Sequence, residues 1–255
     1  MRFTFFLLLV ALADPALAAG CRAESGGRTV ALVELYTSEG CSSCPPADRW
    51  LSGLAGRGYT TDRVVPLALH VDYWDYIGWK DPYAKREFSQ RQRKLSQLQR
   101  MALVYTPQVV LQGRDFRGWY TNAFESTVAA INARPAGARI TLELEGAAKG
   151  ALDVHATAEL ADPAQAADAA LYLAVFENRL TSRVTAGENS GRTLTHDHVV
   201  LEWQGPFAFM PTGRISERRT LALLPKGAPE RSGVVGFVQN RRTGEVLQAL
   251  LRSPC

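Results

Sequence analysis

The spacing of apolar residues changes about half-way along the chain. In the first half, continuous apolar runs alternate with stretches in which apolar residues recur every three or four positions, as on one face of a helix. From about residue 139 onward, short apolar stretches follow one another with turn residues between them. The pattern predicts an α/β unit followed by an antiparallel β-rich unit.

Two parallel strands and a helix are predicted at the start of the first unit. VALVELY at 30–36 is typical of a buried strand, and ADRWLSGLAGRG at 47–58 has the spacing of a helix that ends at glycines. RVVPLALHVDYW at 63–74 is the second strand. Because the connections are short, we expect a right-handed crossover and parallel pairing.

A second helix is predicted to begin near Asp81, with Asp81 as its N-cap and Pro82 in its first turn. The stretch at 105–120 then predicts a strand, a turn and another strand, and the stretch at 121–133 predicts a closing helix. The first unit therefore has the order βαβ, helix, ββα.

The second half predicts eight short strands separated by turn signals, a texture typical of an antiparallel β-sandwich. Proline, glycine and small residues in NARPAGA at 132–138 mark a linker. We therefore expect two domains, at 28–134 and at 138–255.

Residues 1–19 predict a secretory signal peptide, because Arg2 precedes an apolar run and small residues precede the expected cleavage point. The run is shorter than the ~20 residues that a membrane-spanning helix needs. The mature protein is thus expected to be exported, either periplasmic or secreted. LAAGC around Cys21 also resembles a bacterial lipoprotein cleavage site, and in that case a lipid on Cys21 would hold the protein at a membrane.

Composition adds little about partners. The net charge of +4 is mild and gives little support to nucleic-acid binding, which export disfavours further. We predict no cofactor and no resident metal, and we expect a monomer.

The four cysteines form an even set in an oxidising compartment, where disulfides persist. Cys41 and Cys44 are one natural pair. Cys21 and Cys255 stand at the two ends of the mature chain, and the ends of domains often lie close together. A Cys21–Cys255 disulfide is therefore predicted beside a Cys41–Cys44 disulfide.

A Cys-x-x-Cys between a strand and a helix is suited to thiol–disulfide exchange. The positive end of the helix favours a thiolate on the first cysteine, and the second cysteine then resolves the mixed disulfide. Cys41 is the predicted nucleophile and Cys44 the resolving thiol, and the expected partners are protein thiols and disulfides.

Three other interpretations of this pair stay open. The first is an inert structural disulfide, and the second is half of a zinc site that needs about two further ligands. The third is a site in a binding protein that holds a soft metal such as Cu(I) with a histidine. His196 and His198 in HDH would share one face of a strand. They are candidates for structural histidines, a metal pair or interdomain hydrogen bonds.

Thr106–Pro107 adds a second motif, because a proline directly before an apolar strand is a candidate for a cis peptide bond. With the cysteine pair and the βαβ-ββα order, it resembles the thioredoxin superfamily. The resemblance implies a thioredoxin-like fold with a helical insertion at 28–134 and a cis Pro107 beside the disulfide. It also implies that Thr106 helps to set redox behaviour.

A narrower resemblance rests on three strings: VELYTSEGCSSCPPAD, HVDYWDYIGWKDPYA and YTPQVVLQG. They are similar to a family of exported bacterial proteins described only as domain of unknown function 1223. That resemblance implies a thioredoxin-like part followed by a second domain that includes HDHVV, and it brings no known substrate.

The sequence departs from thioredoxin around the motif. Pro45 and Pro46 are expected to start the helix at Pro45, which leaves Cys41 away from the positive helix end and less acidic. Leu35 stands where thioredoxin has a buried aspartate. Glu34 is the nearest acid and a candidate acceptor for the Cys44 proton, although strand alternation favours a structural role for it.

Aromatic and acidic residues follow the second strand, at the edge of the sheet where ligands bind in open α/β folds. They predict either a wall for an extended peptide beside Cys41 or the packing of an insertion. The candidate substrate-binding residues are Tyr36, Asp72, Trp74 and Trp79.

Overall fold

The computed structural model describes residues 21–147, 150–222 and 229–255. The predicted signal peptide lies outside these residues. Within the described part the chain forms three α-helices and fourteen β-strands, which are arranged in three sheets. None of the described helices combines the length and the apolar character needed to cross a membrane.

The first half contains all three helices. Its elements are β1 (Cys21–Glu24), β2 (Ala31–Thr37), α1 (Cys44–Ser52), β3 (Val64–His70), α2 (Arg86–Leu98), β4 (Gln108–Leu111), β5 (Arg114–Asp115) and α3 (Ala123–Asn132). A 3-10 turn at Asp72–Ile77 follows β3.

The described part of the second half contains strands and no α-helix, so its predicted β-rich character is confirmed. Three strands of the chain, β1, β9 and β10, were not predicted from the sequence. The strands are β6 (Ala138–Ala147), β7 (Ala151–Leu160), β8 (Ala169–Glu177), β9 (Leu180–Arg183), β10 (Thr193–His196), β11 (Val199–Ala208), β12 (Arg214–Ala222), β13 (Ser232–Asn240) and β14 (Val246–Arg252).

One eight-stranded sheet runs through both halves of the chain, in the order β14-β13-β8-β11-β3-β2-β4-β5. β2 and β3 are parallel, as expected, and β4 is antiparallel to β2. The halves meet where Val199 of β11 pairs in parallel with Ala68 of β3, and the Ala68 N–H donates to the His198 carbonyl at 2.8 Å. The linker at 132–138 therefore divides the chain without dividing the sheet.

Side chains of β2 alternate between two cores because successive residues of a strand point to opposite faces. Leu35 packs in the cluster that contains Leu51 of α1 and Phe124 of α3. Tyr36 packs on the other face, in the cluster that contains Phe88 of α2. Each fully buried large apolar side chain contributes roughly 1.5–3 kcal/mol.

A second sheet, in the order β1-β6-β7-β12, packs over the C-terminal strands of the large sheet. Leu142 of β6 and Leu173 of β8 lie in the shared core. Cys21 of β1 is bonded to Cys255, and their Cα atoms are 5.7 Å apart. This disulfide joins the first and last described residues.

Two predicted helix starts are wrong. α2 begins at Arg86: one Asp81 oxygen accepts the Tyr83 N–H at 2.9 Å, as a cap would, but that turn does not continue as a helix. The other oxygen accepts the Glu39 N–H at 2.9 Å and contacts His70 at 2.7 Å. α1 begins at Cys44 instead of Pro45. The twin prolines lie in its first turn, where the N–H groups they lack would have no partner within the helix.

Candidate functional site

The cysteine pair lies between the end of β2 and the start of α1. Cys41 and Cys44 form a disulfide with their Cα atoms 5.5 Å apart. The Cys44 N–H donates to the Cys41 carbonyl at 3.2 Å, so a turn separates Cys41 from the helix that Cys44 begins. The Ser43 hydroxyl lies 3.3 Å from the Cys41 sulfur.

Both cysteines are covered, with 1% of Cys41 and 0% of Cys44 exposed, whereas Ser42 and Ser43 between them are exposed. One covering segment is the 3-10 turn at 72–77, and a Cβ on Gly40 would lie 3.1 Å from Cδ1 of Ile77. The other is the loop at 184–192, between β9 and β10.

This loop binds the backbone around Cys41. The buried Asn189 amide donates at 2.9 Å to both the Glu39 carbonyl and the Cys41 carbonyl. Arg192 donates to the Asn189 side-chain oxygen at 2.9 Å. The loop therefore holds the cysteine turn from the second half of the chain.

Five buried ionisable side chains form a cluster at this end of the sheet: Glu39, Asp48, His70, Asp81 and His196. His196 Nε2 lies 3.1 Å from Glu39 Oε1, and the other Glu39 oxygen accepts the indole N–H of Trp79 at 2.9 Å. The His70 and His196 ring centroids are 4.9 Å apart, which links the two ends of the cluster.

Burial and pairing shift the pKa values of three members. Burial raises the pKa of Asp48, against the opposing pull of His196 and His70. Burial alone would lower the pKa of His70, but the Asp81 carboxylate outweighs it and the pKa is raised. For Asp81 burial acts upward, yet His70 and two backbone N–H groups bring its pKa below the ordinary value.

Asp48 stands on the Cys44 side of this cluster. It follows Cys44 by four positions in α1, and residues so spaced lie on one helix face. Asp48 Oδ1, His196 Nδ1 and His70 Nε2 are buried and lack hydrogen-bond partners among the described residues. His196 Nδ1 lies 3.8 Å from the other Asp48 oxygen, Oδ2, which links Asp48 to the cluster.

The structure does not bring Glu34 together with Cys44. Glu34 lies on the face opposite Leu35, where Arg91 binds it through two nitrogens at 2.5 and 3.0 Å. The Tyr36 hydroxyl lies 3.4 Å from Glu34 and is fully buried, so Tyr36 is not exposed to a partner in this structure. Burial raises the pKa of Tyr36 well above its ordinary value.

Thr106–Pro107 lies at the same end of the sheet. Its peptide bond is cis, and the next residue, Gln108, pairs with Tyr36 near the end of β2. The Trp74 indole donates to the Thr106 hydroxyl at 2.6 Å. Trp74 and Trp79 thus connect the proline segment and the cysteine turn, whereas Asp72 turns away to bind Ser89 of α2.

The two histidines of HDH have different surroundings. His196 ends β10, and His198 has φ 58°, so the expected strand does not run through both and their rings do not share a face. Burial lowers the pKa of His198 to about 4, and its ring packs 5.6 Å from that of Phe176. Within the described ranges, no three or more His, Cys, Asp or Glu side chains form a group suited to hold a metal ion.

Sequence reasoning missed Asp48, Glu188 and Asn189, and did not connect Asp81 or His196 with the cysteines. Asp48 carried a usable signal, because it is an acid four positions after Cys44 on the face of α1 that holds Leu51. Asn189 carried none, since its contacts join segments more than 140 positions apart, with separations of 150 and 148.

Comparison with known proteins identifies the family. The model for the protein family described as "Protein of unknown function (DUF1223)" matches residues 32–239. The chain belongs to this family. The resemblance of the three sequence strings to it is thereby confirmed.

Two solved structures share the fold of this DUF1223 protein. Protein AGR_C_4864 from Agrobacterium tumefaciens is 24% identical with a TM-score of 0.63, and the alignment covers 90% of this chain and 96% of that one. HBP35 of Porphyromonas gingivalis is 16% identical with a TM-score of 0.68, and the alignment covers 90% of this chain and 76% of that one. A search of curated proteins found no match.

Proposed function

We propose that this DUF1223 protein is an exported thioredoxin-like thiol–disulfide oxidoreductase, with Cys41 as nucleophile and Cys44 as resolving thiol. The observation that carries the proposal is the placement of the Cys41–Cys44 disulfide: it bridges the turn before α1 and the first residue of that helix. Cys44 stands at the helix start, where the helix end favours a thiolate, so this short-span disulfide opens with Cys44 as a stabilised leaving sulfur when Cys41 is attacked.

The arrangement of strands and helices supports the thioredoxin-like part of the proposal. The four strands β3-β2-β4-β5 are neighbours in the sheet, with β2 and β3 parallel and the other pairs antiparallel. α1 and α3 pack on one face and α2 on the other. The resemblance of the sequence to that superfamily implies this order.

In the proposed reaction, the Cys41 thiolate attacks one sulfur of a partner disulfide. The partner S–S bond breaks, a mixed disulfide forms on Cys41, and the first partner sulfur leaves as a thiolate and takes up a proton from solvent. Cys44 then loses its proton and attacks the Cys41 sulfur. The internal disulfide re-forms and the second partner sulfur leaves, so the partner gains two electrons and the protein loses two.

Asp48 is the acceptor that we assign to the Cys44 proton, in place of Glu34. Two observations support it: its position one helical turn after Cys44, and the burial that raises its pKa toward the range of a useful base. The proton then passes to the second leaving sulfur of the partner. Glu34 is committed to Arg91 on the other face of the sheet.

Trp74, Trp79 and Thr106 are proposed to contact the partner beside the disulfide. Trp74 and Trp79 are partly exposed, and their indole N–H groups are fixed by Thr106 and Glu39. Asp72 and the buried Tyr36 are proposed to support this wall from behind. Partner access to Cys41 requires the covering segments to move, since 1% of Cys41 is exposed.

A second function is favoured by that same burial. A disulfide covered on both sides suits a structural element that never exchanges, which is the inert alternative. The difference lies in the reduction potential, because structural disulfides have potentials below about −300 mV.

The deciding experiment equilibrates the full mature protein in glutathione buffers and measures the Cys41–Cys44 disulfide by mass after alkylation. Reduction of a model protein disulfide and copper content of the reduced form are measured alongside, with Cys41→Ser as control. We expect a potential above about −300 mV and turnover that Cys41→Ser abolishes. A lower potential without turnover would establish the inert disulfide, and stoichiometric copper without turnover a binding protein.

A further inference from the structure

We propose that Glu188, in the second half of the chain, is a positioning residue that keeps the Cys41 thiol weakly acidic by occupying the Ser42 backbone N–H. This inference rests on the proposed function, because it concerns the reactivity of the same nucleophile. The loop at 184–192 is then the part of the protein that tunes the acidity of the Cys41 thiol.

The contact is direct. The Ser42 N–H, which follows Cys41 in the chain, donates to Glu188 Oε2 at 2.8 Å across 146 positions of sequence. Hydrogen bonds from Ser42 lower the pKa of Glu188, so this carboxylate is charged at neutral pH. Its negative charge therefore lies one peptide unit from the reacting cysteine.

The loop is built to hold that carboxylate in place. Asn189, the next residue, is fully buried and bonds to the carbonyls of Glu39 and Cys41. On the other side, Gly187 has φ 73°, and a Cβ there would lie 2.9 Å from Cδ1 of Ile77. Glu188 is thus an exposed side chain on a fixed backbone.

Two physical effects act on Cys41 in the same direction. A backbone N–H beside a sulfur stabilises the thiolate when it is free to do so, and Glu188 uses the one that Ser42 supplies. The carboxylate also repels a second negative charge nearby. Each effect favours the protonated thiol.

The other charged groups around the cysteine turn are already engaged. Glu39 is bound by His196 and Trp79, and Arg192 is bound to Asn189. Asp48 lies in α1 on the Cys44 side, and His70 is paired with Asp81. Among the described residues, the Ser43 hydroxyl is the side-chain donor that is left beside the Cys41 sulfur.

A movement of the loop would therefore change reactivity as well as access. While Asn189 and Glu188 hold the turn, Cys41 is covered and its thiol is weakly acidic. When the loop leaves, the Ser42 N–H becomes available to the sulfur. Binding of a partner that displaces the loop would thus activate the cysteine that it exposes.

The test measures Cys41 acidity without any partner. The reduced, full mature protein is alkylated with iodoacetamide from pH 5 to pH 10, and the rate at Cys41 is followed by peptide mass. Glu188→Gln keeps the size of the side chain and removes the charge, but its amide oxygen can still accept the Ser42 N–H, so Glu188→Ala, which removes both the charge and the acceptor, is measured beside it. Glu125→Gln is the matched control, since Glu125 is exposed on α3 and contacts no described residue of the cysteine turn.

We expect the midpoint of the rate profile to fall by about one pH unit in Glu188→Ala, which is about a tenfold larger thiolate fraction at pH 6, and by less in Glu188→Gln, which keeps the acceptor. The Glu125→Gln midpoint should equal that of the unchanged protein. A Glu188→Ala midpoint equal to that of the unchanged protein would overturn the proposal, as would a rise in either Glu188 variant. The height of the plateau reports access separately from acidity.

The result is independent of whether the protein exchanges disulfides. A lowered midpoint in a protein that reduces no partner disulfide would retain the role of Glu188 and reject the proposed function. An unchanged midpoint in a protein with turnover would retain the proposed function and reject the role of Glu188.

Discussion

His196 Nε2 lies 3.1 Å from Glu39 Oε1, and the two residues are separated by 157 positions in the sequence. The contact is buried, with side-chain exposures of 3% and 0%. It places a strand residue of the second half inside the cluster behind the cysteine turn. The chemistry of the Cys41 region and the stability of the whole chain therefore depend on the same buried side chains.

Asp81→Asn is expected to destabilise the protein by about 3 kcal/mol at pH 6, because it leaves a buried His70 without its charge partner. Because the pKa of His70 is raised, the stability that charged His70 contributes is fully present below about pH 6.5. That contribution is lost as the pH rises through the raised pKa. The lowered pKa of Asp81 contributes above about pH 4, and this is lost as the pH falls through it.

Urea unfolding at pH 6 and pH 9 checks this prediction. The loss should be larger at pH 6, where both partners are charged. Asp62→Asn, at an exposed acid, is the control and should change stability by less than about 0.5 kcal/mol. Equal losses at both pH values would contradict the assigned pairing.

Glu34→Gln is expected to cost about 3 kcal/mol of unfolding free energy and to leave the Cys41–Cys44 potential unchanged. The side chain of Arg91, 11% exposed, would keep its charge without a carboxylate partner. Chemical denaturation and glutathione equilibration measure the two quantities. Glu87→Gln, at an exposed acid of α2, is the control. A shifted potential would restore Glu34 as a participant in the chemistry.

Asp48→Asn should slow the release of partner from the mixed disulfide by about a hundredfold, since an amide cannot accept the Cys44 proton. Single-turnover release from a preformed mixed disulfide measures this step. Attack by Cys41 in the preceding step should proceed at the unchanged rate. If release is equally fast in the variant, Asp48 is not the acceptor.

Asp48→Asn should also change how the stability of the protein depends on pH. Because the pKa of Asp48 is raised by burial, its carboxyl contributes most below its ordinary pKa, and this contribution is lost as the pH rises through the raised value. Asp48→Asn should therefore become more stable relative to the unchanged protein as the pH rises. A constant difference would contradict the raised pKa.

Gly113→Ala should be severely destabilising, by about 3 kcal/mol or more. Gly113 has φ 79°, and a Cβ there would lie 1.8 Å from the Gly244 carbonyl oxygen. The β4–β5 turn thus touches the β13–β14 turn with no room for a side chain. Gly56→Ala, where a Cβ meets nothing within 4 Å, is the control. Thermal unfolding compares the two, and similar melting temperatures would refute the close contact.

Local patterns predicted most of the fold. The buried strands β2 and β3, the helix that follows the cysteines and the β-rich second half are all encoded in short-range spacing. The start of α2 was missed because Asp81 caps only a short turn at Tyr83 that does not continue as a helix, while its other carboxylate oxygen contacts His70. Continuity of the sheet was missed because one parallel pair, Val199 with Ala68, has no sequence signature.

The residues of the candidate site also divide into those that local motifs reveal and those that they do not. Cys41, Cys44 and Pro107 could be found from motifs, because their spacing is local or tied to a strand start. His196 could be found as a candidate for an interdomain hydrogen bond, but its partner Glu39 could not, and Glu188 could not be found at all, since hydrogen bonds between distant segments leave no periodicity to read. Strand alternation did give the correct face for Glu34, which points away from Leu35 toward Arg91.

The Val199–Ala68 pair has a consequence for modularity. A unit bounded by a linker is often treated as a domain that folds alone. Here a fragment that ended at residue 134 would expose the unpaired side of β3, whose seven residues are all buried in the intact chain. Such a bare apolar edge recruits other strands. The cysteine-bearing half is therefore best regarded as an inseparable part of one folding unit.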